Sequence, residues 1–176
     1  TSGCYRVVIT DEFRTGIDAI TIEADYIQET PNGELIGVED GGFTNGSVSF
    51  VWKDEAKVTL FKDGTLMEYK SKDKLTEDGA YVLIFENYDG FMETYEFVID
   101  TMSPELLVEG VKMQGKTQTN VTVHYTETEF TAKLYKNGEE VGDYVSGTEI
   151  TESGSYVVRI SDNANNTSEV NFSIDK

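Results

Sequence analysis

One histidine, His124, one cysteine, Cys4, and 33 acidic side chains are what this 176-residue chain offers for covalent or metal chemistry. A cysteine attacks as a thiolate and needs a base or a positive neighbour to become one; no histidine is near Cys4 in the sequence. Cys4 also stands where Ala80 and Ser155 stand in two later, related segments, which marks it as a substitution near a surface. His124 lies in the alternating run Val121 to Tyr125 on the same side as Thr122 and Thr126, the polar side of a strand. A zinc ion there would have to be completed by carboxylates or water. The chain has no nucleophile-elbow sequence, no phosphate-cradling glycine loop and no paired-histidine protease motif. It is therefore expected not to be an enzyme. Calcium is the one cofactor the residue types could serve, because it takes carboxylate, amide and backbone oxygens. The most oxygen-rich turn is Asp162-Asn163-Ala164-Asn165-Asn166, with Asp162, Asn163 and Asn165 as candidate ligands and Asp11-Glu12 as its counterpart. The calcium-loop spacing of an EF-hand is absent, and Asp and Asn in a turn are also explained by bonds to their own backbone.

The charge balance excludes partners more sharply than it names them. Fourteen basic residues against the 33 acids give a formal charge of −19, a surface that repels nucleic-acid phosphates and anionic lipid headgroups. No apolar run approaches the roughly 20 residues needed to span a bilayer, so no membrane insertion is expected. With a single cysteine no intrachain disulfide can form, and a small domain must be held by its core alone.

What organises these residues is a repeat of about 75 positions. Gly3-Cys4-Tyr5-Arg6-Val7-Val8-Ile9, Gly79-Ala80-Tyr81-Val82-Leu83-Ile84-Phe85 and Gly154-Ser155-Tyr156-Val157-Val158-Arg159-Ile160 are one phrase written three times. Asp63-Gly64 and Asn137-Gly138 recur 74 positions apart, each between alternating runs, and predict the same tight hairpin turn. Around them Val48 to Trp52, Lys57 to Lys62, Thr65 to Tyr69, Tyr81 to Phe85 and Thr94 to Asp100 read as strands. Asn120 to Tyr125, Thr131 to Tyr135, Val141 to Val145, Ile150, Tyr156 to Ile160 and Val170 to Asp175 repeat the order. Helical periodicity is nowhere evident. About seven short strands per unit make an all-β sandwich of two sheets packed face to face.

The expected organisation is a two-strand remnant of a preceding repeat at residues 1–25, then complete domains at 26–104 and 105–176. The remnant reads as Tyr5 to Thr10, a turn near Arg14-Thr15-Gly16, and Ala19 to Glu23. Pro31 and Pro104 fall at the joints, where proline stiffens a short connection and keeps it out of a ladder. A semi-rigid rod is expected of such an array.

The phrases Glu77-Asp78-Gly79-Ala80-Tyr81 and Glu152-Ser153-Gly154-Ser155-Tyr156 resemble the tyrosine-corner segment of immunoglobulin-like domains, with Val7, Leu83 and Val158 where disulfide-bearing relatives carry a cysteine. Together with Thr44-Asn45 and Thr119-Asn120, the Asp162-x-Ala164-x-Asn166 turn and the closing Ile99-Asp100 and Ile174-Asp175, the pattern resembles the immunoglobulin-like repeats of Gram-positive cell-surface and secreted proteins. The resemblance implies tandem immunoglobulin-like sandwiches in which Tyr81, Tyr156, Gly79 and Gly154 are structural. It implies an extracellular, non-catalytic module at a cell surface or cell wall, acting as spacer or in adhesion. Its partners would be neighbouring immunoglobulin-like domains, and an extracellular protein or glycan. The alternative is an accessory carbohydrate-binding module of a secreted polysaccharide-degrading enzyme. In that case Trp52, Tyr88, Phe91 or Tyr95 should build an exposed aromatic platform, with Tyr88 and Phe91, in the departing loop Asn87 to Phe91, the ligand contacts.

Overall fold

The computed structural model describes residues 33–52, 56–87, 90–112, 114–126 and 130–176, together with the strand pairing of residues 4–9 and 22–27. That pairing is an antiparallel hairpin of β1 (Cys4–Ile9) and β2 (Ile22–Ile27). The described part of the second strand, Ile22–Ile27, takes in the end of the Ala19 to Glu23 reading and runs past the expected boundary at residue 25. Alternation continues through Ala24 and Tyr26, so the pattern did not mark an end at Glu23. The expected turn at Arg14-Thr15-Gly16 and the isoleucine at position 20 lie outside the described residues.

The first unit contains β3 (Gly33–Ile36), β4 (Gly42–Thr44), β5 (Ser49–Trp52), β6 (Lys57–Lys62), β7 (Thr65–Met67), β8 (Gly79–Glu86) and β9 (Met92–Ile99). One sheet has the order β4-β9-β8-β6-β7 and the other pairs β3 with β5. The second unit contains β10 (Leu107–Glu109), β11 (Lys116–Thr117), β12 (Val121–His124), β13 (Phe130–Lys136), β14 (Glu139–Asp143), β15 (Glu149–Ile150), β16 (Gly154–Asp162) and β17 (Thr167–Ile174). Its sheets have the orders β11-β17-β16-β13-β14 and β10-β12-β15. The two units thus share one topology, in which the first part of the chain pairs in one sheet and then crosses to run parallel with the last strand of the other.

That crossing depends on glycine. Gly37 and Gly110 have φ of 98° and 90°, and a Cβ on them would stand 2.4 and 2.2 Å from the carbonyl oxygens of Ser47 and Asn120. Backbone that close to backbone leaves no room for a side chain. The expected hairpin turns are present, with Asp63-Gly64 and Asn137-Gly138 at positive φ in both places, as a type I′ turn requires.

Between the sheets each unit closes its own apolar core. Val48, Phe50, Leu60, Tyr81, Leu83, Phe85, Phe97 and Ile99 fill the first. Val121, Val123, Tyr144, Ile150, Tyr156, Val158, Ile160, Val170 and Phe172 are among those filling the second. Strand order, parallel entry strand and two-sheet core define tandem immunoglobulin-like β-sandwiches. Among the described residues no helix is long and apolar enough to cross a membrane.

Candidate functional site

The tyrosines hold each unit at two places. Tyr81 and Tyr156 point from β8 and β16 into the cores, and their hydroxyls donate to the carbonyls of Glu77 and Glu152, four residues back, at 2.8 and 3.0 Å. Each ring stacks on the phenylalanine opposite it in the ladder, Phe97 at 5.1 Å and Phe172 at 5.6 Å between centroids. Gly79 and Gly154 start those strands at φ of 153° and 158°, with Asp63 and Asn137 accepting the amides of the next residues, Ala80 and Ser155. Lys62 and Lys136 reach Glu77 and Glu152 over the same corners. That pairing raises both lysine pKa values and lowers the Glu152 carboxyl.

A second lock was not read from the sequence. Strands β5 and β12 have a side that the short neighbouring ladder leaves open, and side chains supply the missing partners. In the second unit the Tyr144 hydroxyl accepts the Val123 amide at 3.0 Å and donates to the Thr148 carbonyl at 2.6 Å, while Ser146 Oγ accepts the Tyr125 amide at 3.0 Å and returns a bond to its carbonyl at 3.1 Å. In the first unit Tyr69 and Ser71 do the same for Phe50 and Trp52, at 2.6 and 3.2 Å from their amides. The signal was present in the sequence: Tyr69-Lys70-Ser71 and Tyr144-Val145-Ser146 stand 75 positions apart. Backbone groups left unpaired in a sandwich are costly, which explains why the motif is written twice.

The oxygen-rich turn closes on itself and on the joint between the units. Asn165 has φ of 67° and its amide donates to the Asp162 carbonyl. The Asp162 carboxylate accepts the Asn166 amide at 2.8 Å through Oδ1 and the Asn166 side-chain amide at 3.0 Å through Oδ2. The same Asn166 nitrogen donates to the carbonyl of Asp100, 66 positions earlier, at 2.7 Å. Asn166 is buried, 7% exposed, and so are Ala164 and Pro104. Asp100 is itself fixed to the first unit through its amide on Thr44, and Thr101 beyond it through Asp78. The candidate calcium ligands are thus placed as follows: Asp162 is engaged by Asn166 at both oxygens, and Asn163 and Asn165 are exposed on the turn. Among the described residues no three His, Cys, Asp or Glu side chains could together hold a metal ion. His124 Nε2 lies 3.7 Å from a Glu109 carboxylate oxygen on the neighbouring strand.

Of the aromatic candidates, Trp52 and Tyr95 pack on the core beside Phe50, with centroids 6.0 and 5.2 Å from it. Tyr95 also donates to Glu93, and burial is the main reason its phenol is held well above the ordinary value. Phe91 is half-buried behind the bond from its amide to Asn87 Oδ1, and Tyr88 lies outside the described residues. The structure does not bring Trp52, Phe91 and Tyr95 together as one exposed platform; two of the three are turned to the core.

No family model and no curated protein matches the chain. Solved structures that are similar to it include the I-band fragment I67–I69 from titin, at 12% identity and a TM-score of 0.40 over 83% of this chain and 66% of that one. The insect immune protein hemolin is 14% identical with a TM-score of 0.36 over 92% of this chain and 54% of its own. Murine CEACAM1b is 11% identical with a TM-score of 0.37, over 81% and 99%. The chain spans just under two thirds of the titin fragment and about half of hemolin.

Proposed function

We propose that the chain is a non-catalytic spacer segment of a bacterial surface protein, a stretch of tandem immunoglobulin-like units that holds other parts of its parent away from the wall. The observation that carries this reading is the joint. A buried side-chain amide of the second unit, Asn166, is bonded to the backbone carbonyl of Asp100, the residue that follows β9 of the first, ahead of the buried Pro104. A connection built this way resists bending, as a spacer must. Complete apolar cores in both units and a formal charge of −19 support the same reading, since neither needs a ligand and the surface stays soluble.

The leading hairpin supports a longer array. Tyr5 faces Tyr26 across β1 and β2 on the rung where Tyr81 faces Phe97 and Tyr156 faces Phe172. On that basis the hairpin through Ile27, two residues beyond the 1–25 read from the sequence, belongs to the end of a preceding unit, with the two complete units following up to residue 104 and over 105–176. The test is orientation in solution. Residual dipolar couplings measured on the whole chain should fit one alignment tensor for both units, and Asn166→Ala should split them into two while leaving each unit folded. Two independent tensors in the parent chain would end the spacer reading.

A further inference from the structure

The two units differ systematically on one face, the outer face of the five-stranded sheet. Alternation along β6, β8 and β9 turns Leu60, Leu83, Phe85 and Phe97 inward and leaves Phe61, Val82, Ile84 and Val98 on the outside. Across the ladder one outer row reads Leu66, Phe61, Val82, Glu96; the next reads Thr59, Ile84, Thr94; a third reads Ala80, Val98, Phe43. Leu66 is 65% exposed and Phe43 40%. The corresponding rows of the second unit are Glu140, Tyr135, Val157, Asn171; then Lys133, Arg159, Glu169; then Ser155, Ser173, Lys116. There Lys133 pairs with Glu140 and Asp143 at 3.1 and 2.8 Å, Arg159 pairs with Glu169 at 2.9 Å, and the Arg159 guanidinium lies over the Tyr135 ring. Same fold, same rungs: one face is a mesh of ion pairs, the other is aliphatic and aromatic.

We propose that the outer face of the β4-β9-β8-β6-β7 sheet is an interface with a second copy of this chain, packed sheet against sheet. The composition favours a sheet over a sugar, because β-branched and aliphatic side chains on a pleated surface are what the inner faces of sandwiches use. The charge agrees. A molecule of net charge −19 carries on these rows the acid Glu96, with Asp40 and Asp63 bonded to the Glu96 and Ala80 amides at the row ends, and the next row adds Lys57 paired with Glu86, so two copies meet over a face whose charges lie toward its margins. The area suits a weak two-fold contact: strands of three, eight, eight, six and three residues, about 4.8 Å apart with about 3.3 Å rise, give roughly 450 Å² per copy, or about 900 Å² in all, in the range of weak, transient contacts. The interface goes beyond the spacer reading and stands without it, since a flexible joint would not remove the face.

Sedimentation velocity of the whole chain, from low micromolar to near-millimolar concentration, tests this. A concentration-dependent dimer is expected that tightens as salt is raised, because salt screens the repulsion between two acidic molecules and leaves apolar contact intact. Ile84→Arg with Thr94→Glu places on the first unit the pair that the second carries at the same rung, Arg159 and Glu169. It should weaken the dimer at least about tenfold with circular dichroism unchanged, as loss of a central interface contact does. Should that pair fail to fold, Leu66→Glu with Phe61→Tyr, copying Glu140 and Tyr135, gives the same readout. A chain that stays monomeric at high concentration and high salt overturns the proposal and leaves the face to a different partner. A dimer that survives a folded face variant overturns it in favour of pairing elsewhere, as through β1 and β2.

Discussion

Tyrosine hydroxyls do two different jobs in this chain, and the difference sets what their loss should cost. Tyr156 donates to the Glu152 carbonyl at a corner, so Tyr156→Phe gives up one net hydrogen bond, about 1 kcal/mol. Tyr144 both accepts the Val123 amide and donates to Thr148, so Tyr144→Phe leaves an amide of the buried residue Val123 without its partner. It should cost about 1–3 kcal/mol, the penalty for an unsatisfied buried group, and more than Tyr156→Phe. Urea unfolding of the two variants decides the order; equal losses would mean that Tyr144 is only packing. The phenols also set an alkaline limit. Burial is the leading cause that raises the pKa of Tyr69, Tyr81 and Tyr144 above the ordinary 10.0. A folded-state pKa above the unfolded one gives stability that is complete below about pH 10 and is lost as pH rises through the folded values. Tyrosinate absorbance and loss of sheet dichroism should therefore rise together above pH 10. Full titration of the phenols at pH 10 with native dichroism would refute the linkage.

At the scale of the element, the crossing between sheets is the most demanding piece of backbone. Gly110→Ala would force a Cβ to 2.2 Å from the Asn120 carbonyl oxygen at φ of 90°, and should cost about 3 kcal/mol or more. Gly138→Ala, also at φ of 90° but with open space around its Cβ position, should cost only about 1–2 kcal/mol, the left-handed penalty alone. Thermal unfolding of the pair separates steric clash from dihedral strain. The long strands were legible because five or more alternating residues ended in Asp-Gly or Asn-Gly turns; β6 was read to the residue and β8 to within two. The strands β3, β4, β10 and β11 were not, since each has only two to four residues and a glycine separates the two halves of the crossing. Tyr69-x-Ser71 and Tyr144-x-Ser146 escaped for another reason: they complete a sheet edge with side chains, and strand periodicity carries no sign of that. Likewise the Asp162 to Asn166 turn was visible in sequence, whereas the reach of Asn166 to Asp100 joins residues 66 apart and is fixed by how the units meet.

For the molecule as a whole, the repeat has kept its interior and let its surface diverge. The stacked pairs Tyr81 with Phe97 and Tyr156 with Phe172 are the same, while on the outside the rung that pairs Ile84 with Thr94 in one unit pairs Arg159 with Glu169 in the other. A core admits few solutions, but an outer face can be rewritten row by row without touching the fold. The parallel pairing of entry and exit strands has a mechanical consequence. In each unit the strand just inside the start, β4 or β11, is bonded lengthwise to the strand at the end, β9 or β17. Tension applied to the two ends of a unit drags these strands past each other along their own axes. The bonds from Gly41 to Glu96 and Asp100 to Thr44 in the first unit, and from Gln114 to Asn171, Ser173 to Gly115 and Asp175 to Thr117 in the second, are then strained in shear and must rupture together. Had the two strands been antiparallel, the same pull would open them one bond at a time.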